Sequence, residues 1–208
     1  MKTLLLILLL SAQIFALSIN ESLLKIHATL VPKIYLMDYK FKEKLKNDTL
    51  SIAIIYQKGE YKEANLLKKK IETRYKNGIK SFKIITELIL FSKVEKSHAN
   101  VYYLFPSSKK NIKKVVALAK ENRAITFSYL QSDLSYGVMI SVDISRKIKP
   151  IINLHAIKRN HIALRPILID ISTIYKKAEI SKTINQIINL NTFQRDYIAS
   201  RTTLEIYI

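Results

Sequence analysis

The segment from Asn153 to Arg165 holds the residues with the most potential for chemistry. Histidine, lysine and arginine side chains donate hydrogen bonds to carboxylates and phosphates, and neutral histidine also binds metals. We predict a surface turn here that contacts a partner protein, and the candidate contact residues are Asn153, His155, Lys158, Arg159, His161 and Arg165. The two histidines could also ligate a metal, but a turn this rich in cations is more often a solvated surface.

A second set of polar residues follows two apolar segments that resemble strands. Ser107 and Ser108 come after residues 100–105, while Ser128 and Gln131 lie at the end of a later segment. In open α/β sheets, ligand crevices form outside the carboxyl ends of the strands, and a helix that begins after Ser108 could receive an anion. These four residues are the candidate site for a small ligand, with helix capping and turn formation as the simpler interpretation.

Signatures of catalysis are missing from the sequence. It contains no G-x-S-x-G turn, no glycine-rich phosphate loop and no HExxH helix, and its 4 histidines are scattered. With 0 cysteines, thiol nucleophiles and thiolate metal sites are excluded. We therefore expect a binding protein rather than an enzyme, with no catalytic residues, no cofactor and no metal.

The first residues have the pattern of a secretory signal peptide. Lys2 is followed by the apolar run Leu4 to Leu10 and then by the small-x-small site Ala16 to Ser18. The apolar run is shorter than the roughly 20 residues that a membrane-spanning helix needs. We expect residues 1–18 to be a signal peptide and the mature chain to reside outside the cytoplasm, where it relies on its core instead of disulfides.

The composition is that of a globular protein with a strong positive charge. Hydrophobic residues make up 49% and charged residues 25%, and the net charge is +19. The lysine clusters are spread along the chain instead of lying together with aromatic residues, so we do not expect a nucleic-acid-binding protein. An acidic protein face and an anionic membrane surface both stay open as partners for this charge.

The first half of the mature chain alternates strand-like and helix-like patterns. Apolar runs predict strands, and apolar positions three and four residues apart predict helices. The predicted strands are Leu50–Tyr56, Phe82–Ile85, Asn100–Phe105 and Ala124–Tyr129, and the predicted helices are Asn20–Asp38, Tyr61–Lys76 and 106–123. Two successive strand-helix-strand units predict an α/β fold with a mainly parallel sheet and helices packed on it. Pro32 should kink or divide the first helix, and His27 is expected to be a core histidine.

The second half predicts additions to that sheet. Val138–Asp143 and Lys149–Leu154, separated by a short basic turn, indicate an antiparallel hairpin. Leu164–Lys176 has the spacing of an amphipathic helix. We expect one α/β domain over residues 19–177 and a C-terminal extension over 178–208, with a short helix around Ile184 and an edge strand near the end.

Residues 20 to about 175 resemble the YfiR-like family of exported bacterial proteins. The opening helix with Lys25, Ala28 and Asp38 stands where the family has its apolar first helix. The similarity continues through the strand and helix that begin at Val101, the phrase AITFS at 124–128, and the phrases GVMI at 137–140 and INLHA at 152–156. One departure is Asn160-His161, which stands where the family commonly has a glycine.

The resemblance implies a regulator. YfiR-like proteins lie in the periplasm and, where understood, control a membrane-bound signalling protein by contacting its extracytoplasmic domain. The partner implied for this chain is the periplasmic domain of an inner-membrane diguanylate cyclase or sensor kinase. The alternative is a periplasmic module that binds a small anion or metabolite, and a homodimer is one of the oligomeric states left open.

Overall fold

A seven-stranded sheet forms the centre of the computed structural model, which describes residues 19–145 and 147–176. The strands are β1 (Thr49–Tyr56), β2 (Lys83–Leu90), β3 (Val101–Leu104), β4 (Ile125–Ser128), β5 (Ile140–Asp143), β6 (Lys149–Ile152) and β7 (Thr173–Ile174). Their spatial order is β2-β1-β3-β4-β5-β6-β7, and every neighbouring pair is parallel except β5 and β6. The predicted α/β fold and antiparallel hairpin are therefore confirmed.

Five α-helices accompany the sheet in the described residues. They are α1 (Glu21–Tyr35), α2 (Tyr61–Arg74), α3 (Lys109–Glu121), α4 (Leu154–Arg159) and α5 (Pro166–Asp170). Asn20 caps α1 by accepting a hydrogen bond from the backbone N–H of Leu23, and Pro32 lies inside the helix without dividing it. Ser108 caps α3 in the same way, through the N–H of Asn111. The helices α1, α2 and α3 thus begin close to where the sequence predicted.

Two apolar cores lie on opposite faces of the sheet. One contains residues of α1 and α2 with the side chains of β1 that include Ile52 and Ile54, and the other contains α3 with Ala53 and Ile55. Successive side chains of a strand point to opposite faces, so a continuous apolar run such as β1 is buried on both. Each fully buried isoleucine contributes about 1.5–3 kcal/mol relative to an exposed one.

The segment after β6 differs most from the prediction. The expected turn at 153–165 begins with the short helix α4, and residue 154 belongs to that helix rather than to β6. The expected helix Leu164–Lys176 is wrong, because the chain there forms only α5 and then β7. Thr173 and Ile174 pair with Ile151 and Ile152, and this edge pairing overrides a helical spacing of apolar residues.

The predicted signal peptide and the helix and strand expected within 178–208 lie outside the described residues. Within the described residues, no helix is long and apolar enough to cross a membrane.

Candidate functional site

A cleft between α3 and α4 is the strongest candidate for a binding site. Its cavity has a volume of about 620 Å³. The lining residues are Lys113, Leu134, Ser135, Tyr136, Gly137, Asn153, His155, Ala156, Arg159 and Tyr175. We call this cleft the α3–α4 groove. A second cavity of about 330 Å³ adjoins it along α3 and shares Lys113, Tyr136 and Arg159 with it.

Three elements bring these residues together. A 3-10 helical segment, Gln131–Tyr136, ends at Gly137, whose φ of 101° is readily adopted only by glycine. The Asn153 side chain accepts a hydrogen bond from the N–H of Ala156 at 3.0 Å and donates one to the carbonyl of Leu134 at 2.9 Å. This single amide therefore caps α4 and ties the helix to the 3-10 segment.

The groove is basic. Lys113, His155 and Arg159 are exposed and line it, and none of the described lining residues is acidic. The ion pairs in the described part of the chain involve other lysines, namely Lys44, Lys68, Lys70 and Lys114. The Lys109 ammonium lies 5.7 Å from the ring centroid of Tyr136 and adds another positive charge beside the groove.

The structure separates the six predicted partner-binding residues into three groups. Asn153, His155 and Arg159 line the α3–α4 groove. Lys158 and His161 are exposed on the same short helix and the turn after it. Arg165 lies apart, with its guanidinium 5.2 Å from the ring centroid of Tyr39. Of the six predicted residues, Arg165 is therefore already engaged in an internal cation–π contact.

His161 has a backbone conformation that glycine adopts readily. Its φ is 55°, in the left-handed region that side chains other than glycine and asparagine adopt with strain. The backbone at His161 therefore has a conformation in which glycine is favoured, although the residue is a histidine.

The four predicted ligand-binding residues each make an internal hydrogen bond. The Ser107 hydroxyl accepts from the Asn111 side-chain amide at 2.9 Å, and Ser108 caps α3. The Ser128 hydroxyl donates to Asp133 at 2.5 Å, and the Gln131 amide donates to the carbonyl of Val142 at 3.0 Å. These contacts are the capping and turn chemistry that was the simpler interpretation.

The strand order changes direction between β1 and β3, and ligands often bind at such a topological switch point in open α/β sheets. Here the Gln57 amide bridges the two loops by donating to the carbonyl of Pro106 at 3.0 Å. Glu60 caps this turn by accepting from the N–H of Gln57 at 2.8 Å, and burial raises the pKa of its carboxyl. The loops at this crossover are thus bonded to each other.

A larger cavity between α1 and α2 is a weaker candidate. It measures about 660 Å³ and is lined by Glu21 and Lys70, which form an ion pair of 2.7 Å. Lys70 holds the pKa of the Glu21 carboxyl below its usual range. Lys25, Lys69 and Arg74 also line this cleft, so it stays basic apart from that ion pair, but none of the residues predicted to bind a partner or a ligand lies in it.

Sequence reasoning missed seven of the ten residues that line the groove, among them Lys113, Tyr136 and Tyr175. Lys113 follows a buried residue of α3 and looks like an ordinary surface lysine. Tyr175 was assigned to a helix that does not form. Only the tertiary structure, in which α3 and α4 both flank the 3-10 segment Gln131–Tyr136, brings these side chains to the same place.

The sequence matches no family model and no curated protein. The fold is similar to a solved conserved domain protein from Vibrio cholerae O1 biovar eltor strain N16961, with a TM-score of 0.52 and 16% identity over 74% of this chain. The ABC domain in complex with L-Trp from Streptococcus pneumonia has a TM-score of 0.46 and 11% identity over 68% of this chain. This chain spans 60% of the length of each. The first similarity shows a shared fold and nothing more specific.

Proposed function

We propose that this protein is an exported regulator that modulates an inner-membrane signalling protein by contacting its periplasmic domain. The signalling protein would be a diguanylate cyclase or a sensor kinase, as the YfiR-like resemblance implies. The observation that carries the proposal is the set of exposed basic side chains on and after α4, comprising His155, Lys158, Arg159 and His161. The opposite side of this helix is buried through Ala156 and Ile157, so these side chains stand on a fixed support.

The mechanism is a shift of the partner's conformational equilibrium. A domain that binds only one conformation of a receptor stabilises that conformation by the difference in its affinity for the two. A cationic surface of this kind fits an acidic face, since opposite charges raise the association rate and exclude wrong partners. The regulator needs no catalytic residues for this role.

Capture of the partner tests the proposal. The periplasmic domain of a transmembrane sensor encoded beside this chain should be captured by the mature protein and lost on the double substitution Lys158→Glu with His161→Glu. Neither residue is among the described residues that line the groove. Reversal of charge at a rim position lowers the association rate by about tenfold or more.

Lys62→Glu is the matched control for this experiment. Lys62 is exposed on α2, which packs against β1 and β2, at the other end of the sheet from β6, the strand that precedes α4. Capture that survives both the control and the double substitution would show that α4 is not the contact surface. Failure of the unsubstituted protein to capture the domain would refute the pairing itself.

The second candidate function is a module that binds a small anion or metabolite. The observation that favours it is the α3–α4 groove, whose volume of about 620 Å³ lies within the range of small-molecule sites. Cations and a tyrosine hydroxyl line the same groove. A separate proposed ligand site consists of the four residues predicted from the sequence, Ser107, Ser108, Ser128 and Gln131. Substitution of Ser108 tests it.

A further inference from the structure

We propose that the α3–α4 groove binds an oxyanion, phosphate or the phosphate group of a monoester, at the place where its two cavities meet. Lys113, Tyr136 and Arg159 would hold it, because these three residues line both cavities. His155 stands in the larger cavity beside them. This inference rests on the second candidate function and is independent of partner capture.

Three elements contribute residues to the proposed site. Lys113 comes from α3, Tyr136 from the end of the 3-10 segment and Arg159 from the last residue of α4. Residues distant in sequence and carried by three elements thus present an ammonium, a phenol and a guanidinium to one space. All three groups donate hydrogen bonds, as a phosphate with several acceptor oxygens requires.

The two cationic donors of the site have no internal partner in the described residues. In the described residues, the side chains of Lys113 and Arg159 form no ion pair and no hydrogen bond. The neighbouring Lys114 pairs with Glu95 at 2.7 Å. Within that part of the chain, an arriving anion therefore displaces no carboxylate from Lys113 or Arg159. Guanidinium groups suit such anions because their planar fork makes two parallel hydrogen bonds.

The guanidinium of Arg159 lies against a glycine, Gly137. A Cβ atom on Gly137 would lie 3.1 Å from a guanidinium nitrogen of Arg159 and 3.2 Å from the Cγ1 of Val116. Such contacts are tighter than ordinary van der Waals packing, so a side chain at this position would press on both residues. Gly137 thus allows the guanidinium to lie close to the backbone between α3 and α4.

A compact ion fits better than an acidic protein segment. Lys113, Tyr136 and Arg159 line both cavities, so the shared donors lie where the two cavities adjoin rather than along the whole groove. The remaining volume, bordered by Tyr175, Leu134 and Ala156, has room for the organic part of a monoester. The charge of Lys109, held over the Tyr136 ring, adds to the positive potential at this point.

Isothermal titration of the mature protein with inorganic phosphate and, separately, with phenyl phosphate tests the site. We expect one equivalent to bind. Arg159→Gln and Lys113→Gln should each weaken binding about tenfold or more, since each removes a charged hydrogen-bond donor. Tighter binding of phenyl phosphate than of phosphate identifies a monoester site, and the reverse identifies a site for the free ion.

Lys62→Gln is the control with the same change of charge, on α2 at the β2–β1 end of the sheet, away from β6 and α4. Binding should be unchanged in this variant. Equal weakening by all three substitutions would mean general attraction to a basic protein and would overturn the proposal. Absence of binding to both probes would also overturn it. Lys113 is exposed, so its substitution should leave the thermal unfolding transition in place. Neither result bears on capture of the partner domain, which is measured without phosphate.

Discussion

At the scale of single residues, His27 is the most unusual titratable group in the core. Its side chain is fully buried, with the ring centroids of Tyr103, Phe127 and Tyr129 between 5.1 and 5.8 Å away. Its Nδ1 is hydrogen-bonded to the Tyr103 hydroxyl at 2.7 Å, and its Nε2 has no partner among the described residues. Burial lowers the pKa of His27 from 6.5 to about 3, and burial raises the pKa of Tyr103 well above its usual value.

This burial predicts acid sensitivity. Below pH 6.5 the unfolded chain binds a proton that native His27 does not, so the free energy of unfolding should fall as the pH drops from 6.5 towards 3. The contribution of His27 is about 1.4 kcal/mol for each pH unit. Urea unfolding of the mature protein across this range measures it.

His27→Phe isolates the effect, because the variant keeps an aromatic ring in place and removes the titrating group. The unsubstituted protein should lose more stability on acidification than the variant, even though the variant also loses the hydrogen bond to Tyr103 at every pH. Identical pH dependence of the two proteins would show that His27 is not buried in its neutral form.

At the scale of elements, the sequence predicted those helices and strands that depend on interactions between near neighbours in the chain. The helices α1, α2 and α3 were predictable because caps such as Asn20 and Ser108 and a repeating apolar face are local in the sequence. The short pieces α4, α5 and β7 were not, since a two-residue strand such as Thr173–Ile174 exists only through its pairing with β6. The same region supplies half of the α3–α4 groove.

The N-terminus of α3 distinguishes a cap from a ligand site. Ser108→Ala should lower the free energy of unfolding by about 1 kcal/mol, because the N–H of Asn111 loses its acceptor. Chemical denaturation measures this change. If the serine serves only as a cap, the variant should bind phosphate as tightly as the unsubstituted protein.

Ser108→Asp is the companion variant, since aspartate also caps helices well and should retain stability. Loss of phosphate binding in both variants, with the folded state intact, would move the anion site from the α3–α4 groove to the carboxyl ends of the strands.

At the scale of the whole molecule, charge and topology act separately. The sheet order places α2 and α3 on opposite faces, so cations carried by the two helices point away from each other. The basic residues of these two helices therefore lie over different faces of the sheet, and those around α4 and the groove form a local cluster. Total charge governs attraction at long range, whereas the local set of residues governs which ligand binds.

Salt separates these two contributions in the capture experiment. The Debye length falls from about 10 Å at 0.1 M to about 3 Å at 1 M salt, so attraction between exposed charges is largely screened. The association rate with the partner domain should therefore drop about tenfold or more over this range, while the dissociation rate changes little. Surface plasmon resonance measures both rates. An association rate that does not respond to salt would contradict a charge-driven contact.

The sequence by itself determined the fold class and most of the sheet, because apolar periodicity, helix caps and turn residues act over a few neighbouring positions. It also singled out the Asn153–Arg165 segment, which the structure divides into α4, a left-handed turn at His161 and the contact of Arg165 with Tyr39. Only the tertiary structure decided that Lys113 and Tyr136 join Arg159 in one groove. Such proximity depends on how α3 and α4 are placed on the two sides of the 3-10 segment, and no local pattern encodes the distance between helices that are far apart in the chain.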